Sequence, residues 1–236
     1  MDGMKATSIR ARVRAEMTEE IKAIARRHLA TDGANLSLRA VARDLGVVSS
    51  AIYRYFASRD DLLTALILDA YNSLGQTVED RERAVGRDDL TGRWMAVCDA
   101  VRGWALERPH EYALIYGSPV PGYQAPTDTV AAATRAVTVL GTIIQDAAVA
   151  RRLPPGPREP VPDAVAADVR RAGAMIAPDV PDAVTARALS AWVTLFGLVS
   201  FEVFGQLNNV VEHRGEFFEH QMRAQARFVG LEFTEI

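Results

Sequence analysis

Between Leu38 and Phe56 the chain reads LRAVARDLGVVSSAIYRYF, a stretch that carries a helix stop, a turn and a helix start at mutually consistent places. Ala42 is small enough to let two helices cross, and Gly46, four positions on, suits the left-handed backbone of a tight inter-helix turn. Val41, Leu45, Val47 and Ile52 supply an apolar inner face. Gly46 falls where a helix C-terminus belongs, and Ser49 is the predicted N-cap of the next helix. An alanine and a glycine at this spacing also occur in ordinary helical hairpins. Here five to seven fitted positions coincide. Tyr53, Arg54, Tyr55 and Arg59 then add phosphate-seeking hydroxyls and guanidiniums at the end of the segment. The expectation is a helix-turn-helix that binds DNA.

The net charge of −3 is unevenly spread. Residues 1–60 hold 11 Lys or Arg against 7 Asp or Glu, and the remainder hold 16 against 23. A basic N-terminal quarter on an acidic body localises attraction for phosphate. Arg10, Arg12 and Arg14 belong either to that basic surface or to a solvated tail. The lone Cys98 excludes a disulfide within the chain, reads as a buried hydrophobe on a helix, and suits a reducing cytoplasm. No signal peptide or uninterrupted apolar run of about 18 residues occurs, so neither export nor a membrane span is expected.

All 11 prolines lie at or beyond Pro109, which leaves the first 108 residues free to run as helices. Met17, Ile21, Ile24, Ala25 and Leu29 mark a first helix ending near Thr31–Gly33, and Ser37 should cap a second. Ser58 and Asp61 resemble a capping box opening a fourth helix near Arg59 that runs toward residue 80. A fifth is expected from Leu90 to Arg108, with Trp94, Val97, Cys98, Val101 and Ala105 on one face. Pro109 should open a short sixth. A seventh is expected over Thr127–Arg152, then a connector from Leu153 to Pro162 holding five prolines, then a shorter helix through Met175. Asp182–Leu207 reads as a helix buried on nearly all sides, and Gly215–Gly230 as a last helix with an apolar stripe. Glu202, set in an apolar run, needs a partner, whether a cationic ligand, a residue of a dimer mate or a backbone group.

With the helix-turn-helix, the IYRYF ending and the ASRDDLL start in hand, residues 16–70 resemble the TetR family of bacterial transcriptional regulators. The segments WALERPHEYALIYGSPVPGYQAP and AWVTLFGLVSFEVFGQL are similar to a class of TetR C-terminal domain with a Trp followed by a His-Gly pair. Trp192 and Gly197 match that pattern, but Phe196 stands where His is usual, which favours an apolar effector. The resemblance implies an all-α chain. Residues 1–60 would form an N-terminal arm and three-helix DNA-binding domain, and residues 61–236 a helical ligand-binding and dimerisation domain.

It also implies a cytoplasmic homodimeric regulator, usually a repressor, that binds a palindromic operator and lets go of it when a small, largely apolar effector enters, with no enzymatic activity, cofactor or metal. Ser37, Arg39, Val48, Ser49, Ser50, Ala51, Tyr53, Arg54, Tyr55 and Arg59 would then lie on DNA, with Arg54 the best candidate for reading guanine. Trp94, Met95, Cys98, Tyr112, Tyr116, Trp192 and Phe196 are the candidate ligand contacts, each also explicable as plain core. Tyr123 would be a lid or simply exposed. Val203, Phe204 and Leu207, with Phe217, Phe218, Gln221, Met222, Gln225 and Phe228, would join two copies in a four-helix bundle.

An enzyme is the competing class, but His28, His110, His213 and His220 show no metal-binding spacing, and no GxSxG or P-loop is present. A helical interaction protein, or a regulator without an effector, is the other alternative.

Overall fold

The computed structural model describes residues 2–32, 36–153 and 160–232, and every regular element in them is helical. In chain order these are α1 (Asp2–Asp32), α2 (Leu38–Asp44), α3 (Ser49–Ile52), α4 (Arg59–Arg83), α5 (Leu90–Glu107), α6 (Pro109–Tyr116), α7 (Thr129–Ala133), α8 (Arg135–Val149), α9 (Asp163–Ile176), α10 (Asp182–Val203) and α11 (Arg214–Val229). The Pro-rich connector expected over 153–162 lies mostly outside the described residues. So does Gly33.

Two compact units form, and their limits differ from a division at residue 60: residues 1–71 with 108–130 make the first, and 72–107 with 131–236 the second. In the first, Ile21, Ile24 and Leu29 of α1 meet Leu38, Val41 and Ala42 of α2, Ile52 and Phe56, and Leu62, Leu63 and Leu66 of α4. Burying each such aliphatic or aromatic side chain contributes about 1.5–3 kcal/mol. Val120 joins this core, with Leu114 and Tyr123 packed against it. The capping box at α4 is reciprocal. The Ser58 N–H donates to Asp61 Oδ2 at 3.1 Å and the Asp61 N–H to Ser58 Oγ at 3.1 Å.

In the second unit α5 packs against α8, α10 and α11, because its buried residues, Trp94, Val97, Cys98, Val101 and Trp104 among them, form one broad apolar stripe. The Trp94 indole donates to the Met222 carbonyl at 3.1 Å and that of Trp104 to Ser73 Oγ at 3.0 Å, so neither ring buries an unmet donor. The single helix expected over 127–152 is broken at Thr134, after which Arg135 turns toward Asn72, Gln76 and Glu79. Gly230, at φ +115°, ends α11 in the left-handed conformation, its N–H bonded to the carbonyl of Ala226.

Helix α10 is less enclosed than its composition suggests. Leu195 and Val199 are buried, but Val193, Phe201 and Phe204 are exposed. By length and composition it is the one helix among the described residues able to cross a membrane, yet Arg187 and Glu202 interrupt it and it packs on α5, α9 and α11 as a core helix does.

Candidate nucleic-acid interface and helical cavity

The turn between α2 and α3 is set by Gly46 at φ +74°, with the Gly46 N–H bonded to the Arg43 carbonyl and the Val47 N–H to that of Ala42, both at 3.0 Å. No atom lies within 4 Å of where a Cβ would stand, so the glycine answers to backbone angle and not to space. Val48, not Ser49, is the N-cap of α3. Its backbone is extended and its side chain caps nothing, so α3 begins one residue earlier than the serine suggested. Ser49 and Ser50 therefore sit in the first turn of α3 with exposed hydroxyls.

Helix α3 is one turn long, and Tyr53, Arg54 and Tyr55 follow it in a tight turn, held by bonds from the Tyr55 N–H and the Phe56 N–H to the Ile52 carbonyl at 2.8 and 3.0 Å. Ile52 and Phe56 anchor this turn in the core. Around these anchors Val48 is 73% and Tyr53 49% exposed, Arg54 is exposed, and Ala51 and Tyr55 are half-buried. Arg14 of α1 supports the same turn from outside. Its Nη2 donates to the Arg54 carbonyl at 2.9 Å and its guanidinium lies 5.2 Å from the centre of the Tyr55 ring. Arg14 is therefore no solvated tail, whereas Arg12 is 71% exposed at its side chain and paired loosely with Glu16.

A depression of about 570 Å3 brings together Ser37, Arg39, Tyr53 and Arg59, four of the expected DNA contacts. Ser37 caps α2 through the Ala40 N–H, and Arg59 donates Nε to the Leu36 carbonyl at 3.2 Å, which fixes one edge of the guanidinium. Two cations, a phenol and a hydroxyl around one hollow match the donors a phosphate backbone accepts.

In the second unit Trp94, Leu140, Gly141, Ile144, Gly173 and Trp192 help to line a cavity among α5, α8, α9 and α10 with room of about 50 Å3. Its walls are apolar except for Thr185. Only Trp94 and Trp192 of the expected ligand contacts line it. Met95, Cys98 and Phe196 do not, and burial pushes the Cys98 thiol up, leaving it an inert hydrophobe. Tyr112 and Tyr116 belong to the first unit, where their rings lie 5.1 Å apart and Tyr116 meets Tyr71 edge-on at 6.1 Å. Tyr123 is no lid: its hydroxyl bonds Thr64 at 2.9 Å. The residues that sequence reasoning passed over are Gly141 and Gly173. An isolated glycine inside an apolar helix signals close approach of a neighbour, and a Cβ on Gly141 would stand 2.0 Å from Ile176 Cγ2.

The cavity wall α8 is tied to α4 by two sets of charges. Arg135 grips both oxygens of Glu79 at 2.8 Å and Asn72 Oδ1 at 3.0 Å. Further along, Asp146 accepts from Arg87 Nη2 at 2.6 Å and Arg93 Nη1 at 2.8 Å, and both arginines also bond Glu82 Oε1 of α4. Arg93 is fully buried.

On α10 and α11 the expected interface residues separate into two sets. Phe218 and Met222 point into this chain's own core against α5, because α11 needs that side to pack. Phe204 and Phe228 are exposed, Val203, Leu207, Phe217, Gln221 and Gln225 are half-buried, and Val193 and Phe201 extend the exposed set. Gly197 stands between Val193 and Phe201 on this face with open space where a Cβ would be. Glu202 has found its partner inside the chain, in Arg102.

Residues 21–66 match the family described as bacterial regulatory proteins, tetR family, and residues 94–225 match the tetracyclin repressor-like C-terminal domain. The chain is 38% identical over 217 residues to the HTH-type transcriptional regulators Rv1816 of Mycobacterium tuberculosis and Mb1846 of Mycobacterium bovis, covering 89% of this chain and 91% of each relative. Among solved structures, the regulatory protein SCO4313 superposes with a TM-score of 0.75 at 32% identity, over 91% of this chain and 97% of that one. A protein from Rhodococcus sp. RHA1 shares the fold, with a TM-score of 0.68 at 24% identity over 90% of this chain and 95% of that one.

Proposed function

Because this chain belongs to the TetR family of bacterial transcriptional regulators, which bind DNA through a helix-turn-helix and are not enzymes, we propose that it is a cytoplasmic homodimeric repressor released from a palindromic operator by a small, largely apolar effector. Residues 1–60 carry the DNA contacts and residues 61–236 the effector and dimer functions, with α6 and the loop after it supporting the first unit.

The observation that carries this reading is the hydrogen-bonded segment 48–56, whose exposed side chains are held in place by the buried Ile52 and Phe56. Val48, Ser49, Ser50, Ala51 and Arg54 enter the major groove. Arg54 reads guanine as the long bidentate donor, while the short side chains read thymine methyls and shape. Ser37, Arg39, Tyr53, Tyr55 and Arg59 hold phosphates. A second copy docks on the exposed apolar face of α10 and α11, closest at Gly197. The dimer sets two recognition turns about 34–36 Å apart to meet successive half-sites.

Release follows from the size of the cavity. A drug-sized ligand needs about 300 Å3 or more, so the helices around a space of about 50 Å3 must part to admit one. The effector thereby binds an opened form more tightly than the closed form, which is the condition for shifting an equilibrium. Displacement of α8 acts on α4 through Arg135 and Asp146.

The test is selection of random duplexes by the purified protein at near-physiological salt, with sequencing of what is retained. Enrichment of a palindrome with half-sites one turn apart supports the reading. Retention without any enriched sequence refutes it.

A further inference from the structure

Arg187 on α10 is 8% exposed, and its situation differs from that of the buried Arg93 and the half-buried Arg102. Arg93 and Arg102 each reach a carboxylate. Arg187 reaches none among the described residues. Its Nη2 donates to the Val229 carbonyl at 3.4 Å and its buried Nε has no acceptor. Burial lowers its pKa, the mark of a cation stripped of water without an anion in exchange. A buried guanidinium left this way is costly, and its planar fork is shaped for a carboxylate.

Arg187 forms one wall of a recess of about 230 Å3, and Val161, Val165, Val169, Ala186 and Phe228 are among its other walls. Among the described residues no acidic side chain lines it. One cation in an apolar hollow is the complement of one anion on an apolar tail. We propose that this recess is a second ligand site, which binds a small organic carboxylate with its head group on Arg187 and its tail against the valines and Phe228. The site is separate from the effector cavity. Thr185, Ala188, Leu189 and Trp192 line that cavity from one side of α10, whereas Ala183, Ala186 and Arg187 face the recess from the other.

The experiment is calorimetric titration of the full chain with sodium octanoate and, separately, with 1-octanol, which has the same tail and no charge. The wild type is expected to bind octanoate at one site per chain and octanol at least about tenfold more weakly. Arg187→Met should lose about ten- to a hundredfold of the octanoate affinity and leave octanol unchanged, and Arg187→Lys should recover part of the loss. Equal affinity of the wild type for the two compounds overturns the proposal without any variant. So does an Arg187→Met protein that titrates with octanoate like the wild type, which would place octanoate in the effector cavity. If the wild type takes up no octanoate while Arg187→Met weakens self-association in sedimentation, the guanidinium serves a second copy of the chain and the proposal fails.

Discussion

Arg102 Nε and Nη2 donate in parallel to the two oxygens of Glu202, at 2.7 and 2.6 Å, joining α5 to the end of α10 across a hundred residues of sequence. The hydrogen bonding to Glu202 raises the Arg102 pKa further, and the guanidinium lies 5.4 Å from the centre of the Phe218 ring. The Glu202 side chain is 7% exposed, so removing one partner strands the other. Glu202→Gln should cost about 2–3 kcal/mol in urea unfolding at fixed protein concentration, and the paired change Arg102→Met with Glu202→Leu much less. Equal losses in the two proteins would show that the pair is incidental.

Arg14 acts on the recognition turn through the Arg54 carbonyl and the Tyr55 ring. Arg14→Met should weaken operator binding about five- to tenfold, the worth of one hydrogen bond and one cation–π contact. The salt dependence of binding should stay as it was, because no phosphate contact is lost. A slope shallower by about one unit would mean that Arg14 touches DNA itself.

Gly141→Ala drives a methyl group into Ile176. Over-packing should outweigh the better helix propensity of alanine and destabilise the protein by about 1–2 kcal/mol. Adding Ile176→Ala should relieve the clash, visible as a higher Tm than that of the single variant.

Asp146 links the cavity wall α8 to Glu82 of α4 through two arginines. With Asp146→Asn, an effector found by screening should still bind and the operator should still be recognised. The factor by which one weakens the other should fall at least about fivefold, since coupling of this kind amounts to about 1–3 kcal/mol. Binding of operator measured with and without effector reads it directly.

The hydrogen bonds from Arg135 hold Glu79 below the ordinary glutamate value of 4.5. A folded-state pKa below the unfolded one stabilises the protein above the unfolded value, and that stability is lost as pH falls through the folded one. Glu79→Gln should therefore be less stable than the wild type by about 1 kcal/mol at neutral pH. The gap should close as the pH drops below 4.5. A gap that persists in acid would assign it to packing.

What could be read from the sequence was local. Val41, Ala42, Gly46 and Ile52 lie within one segment, and their spacing carries the helix-turn-helix with little help from elsewhere. The capping box of Ser58 and Asp61 spans four residues and was equally legible. Ser49 misled because a serine near a helix start is a good cap in isolation, while the true boundary depends on where Ile52 must sit in the core. The break at Thr134 has no glycine or proline to announce it. Arg93 with Asp146, and Arg102 with Glu202, are joined only by folding, and nothing in composition separates a buried arginine from a solvated one. Tyr112 and Tyr116 share a helix face, but the choice of core they enter is tertiary.

The first compact unit is not a contiguous piece of chain. Leu114, Val120 and Tyr123 reach its core from beyond α5, so a cut after residue 60 or residue 71 removes part of its interior. A hybrid regulator made by exchanging N-terminal segments would inherit a foreign filling for that core. Modular swapping of operator specificity should succeed only when the stretch from Arg108 to Val130 travels with the head it supports.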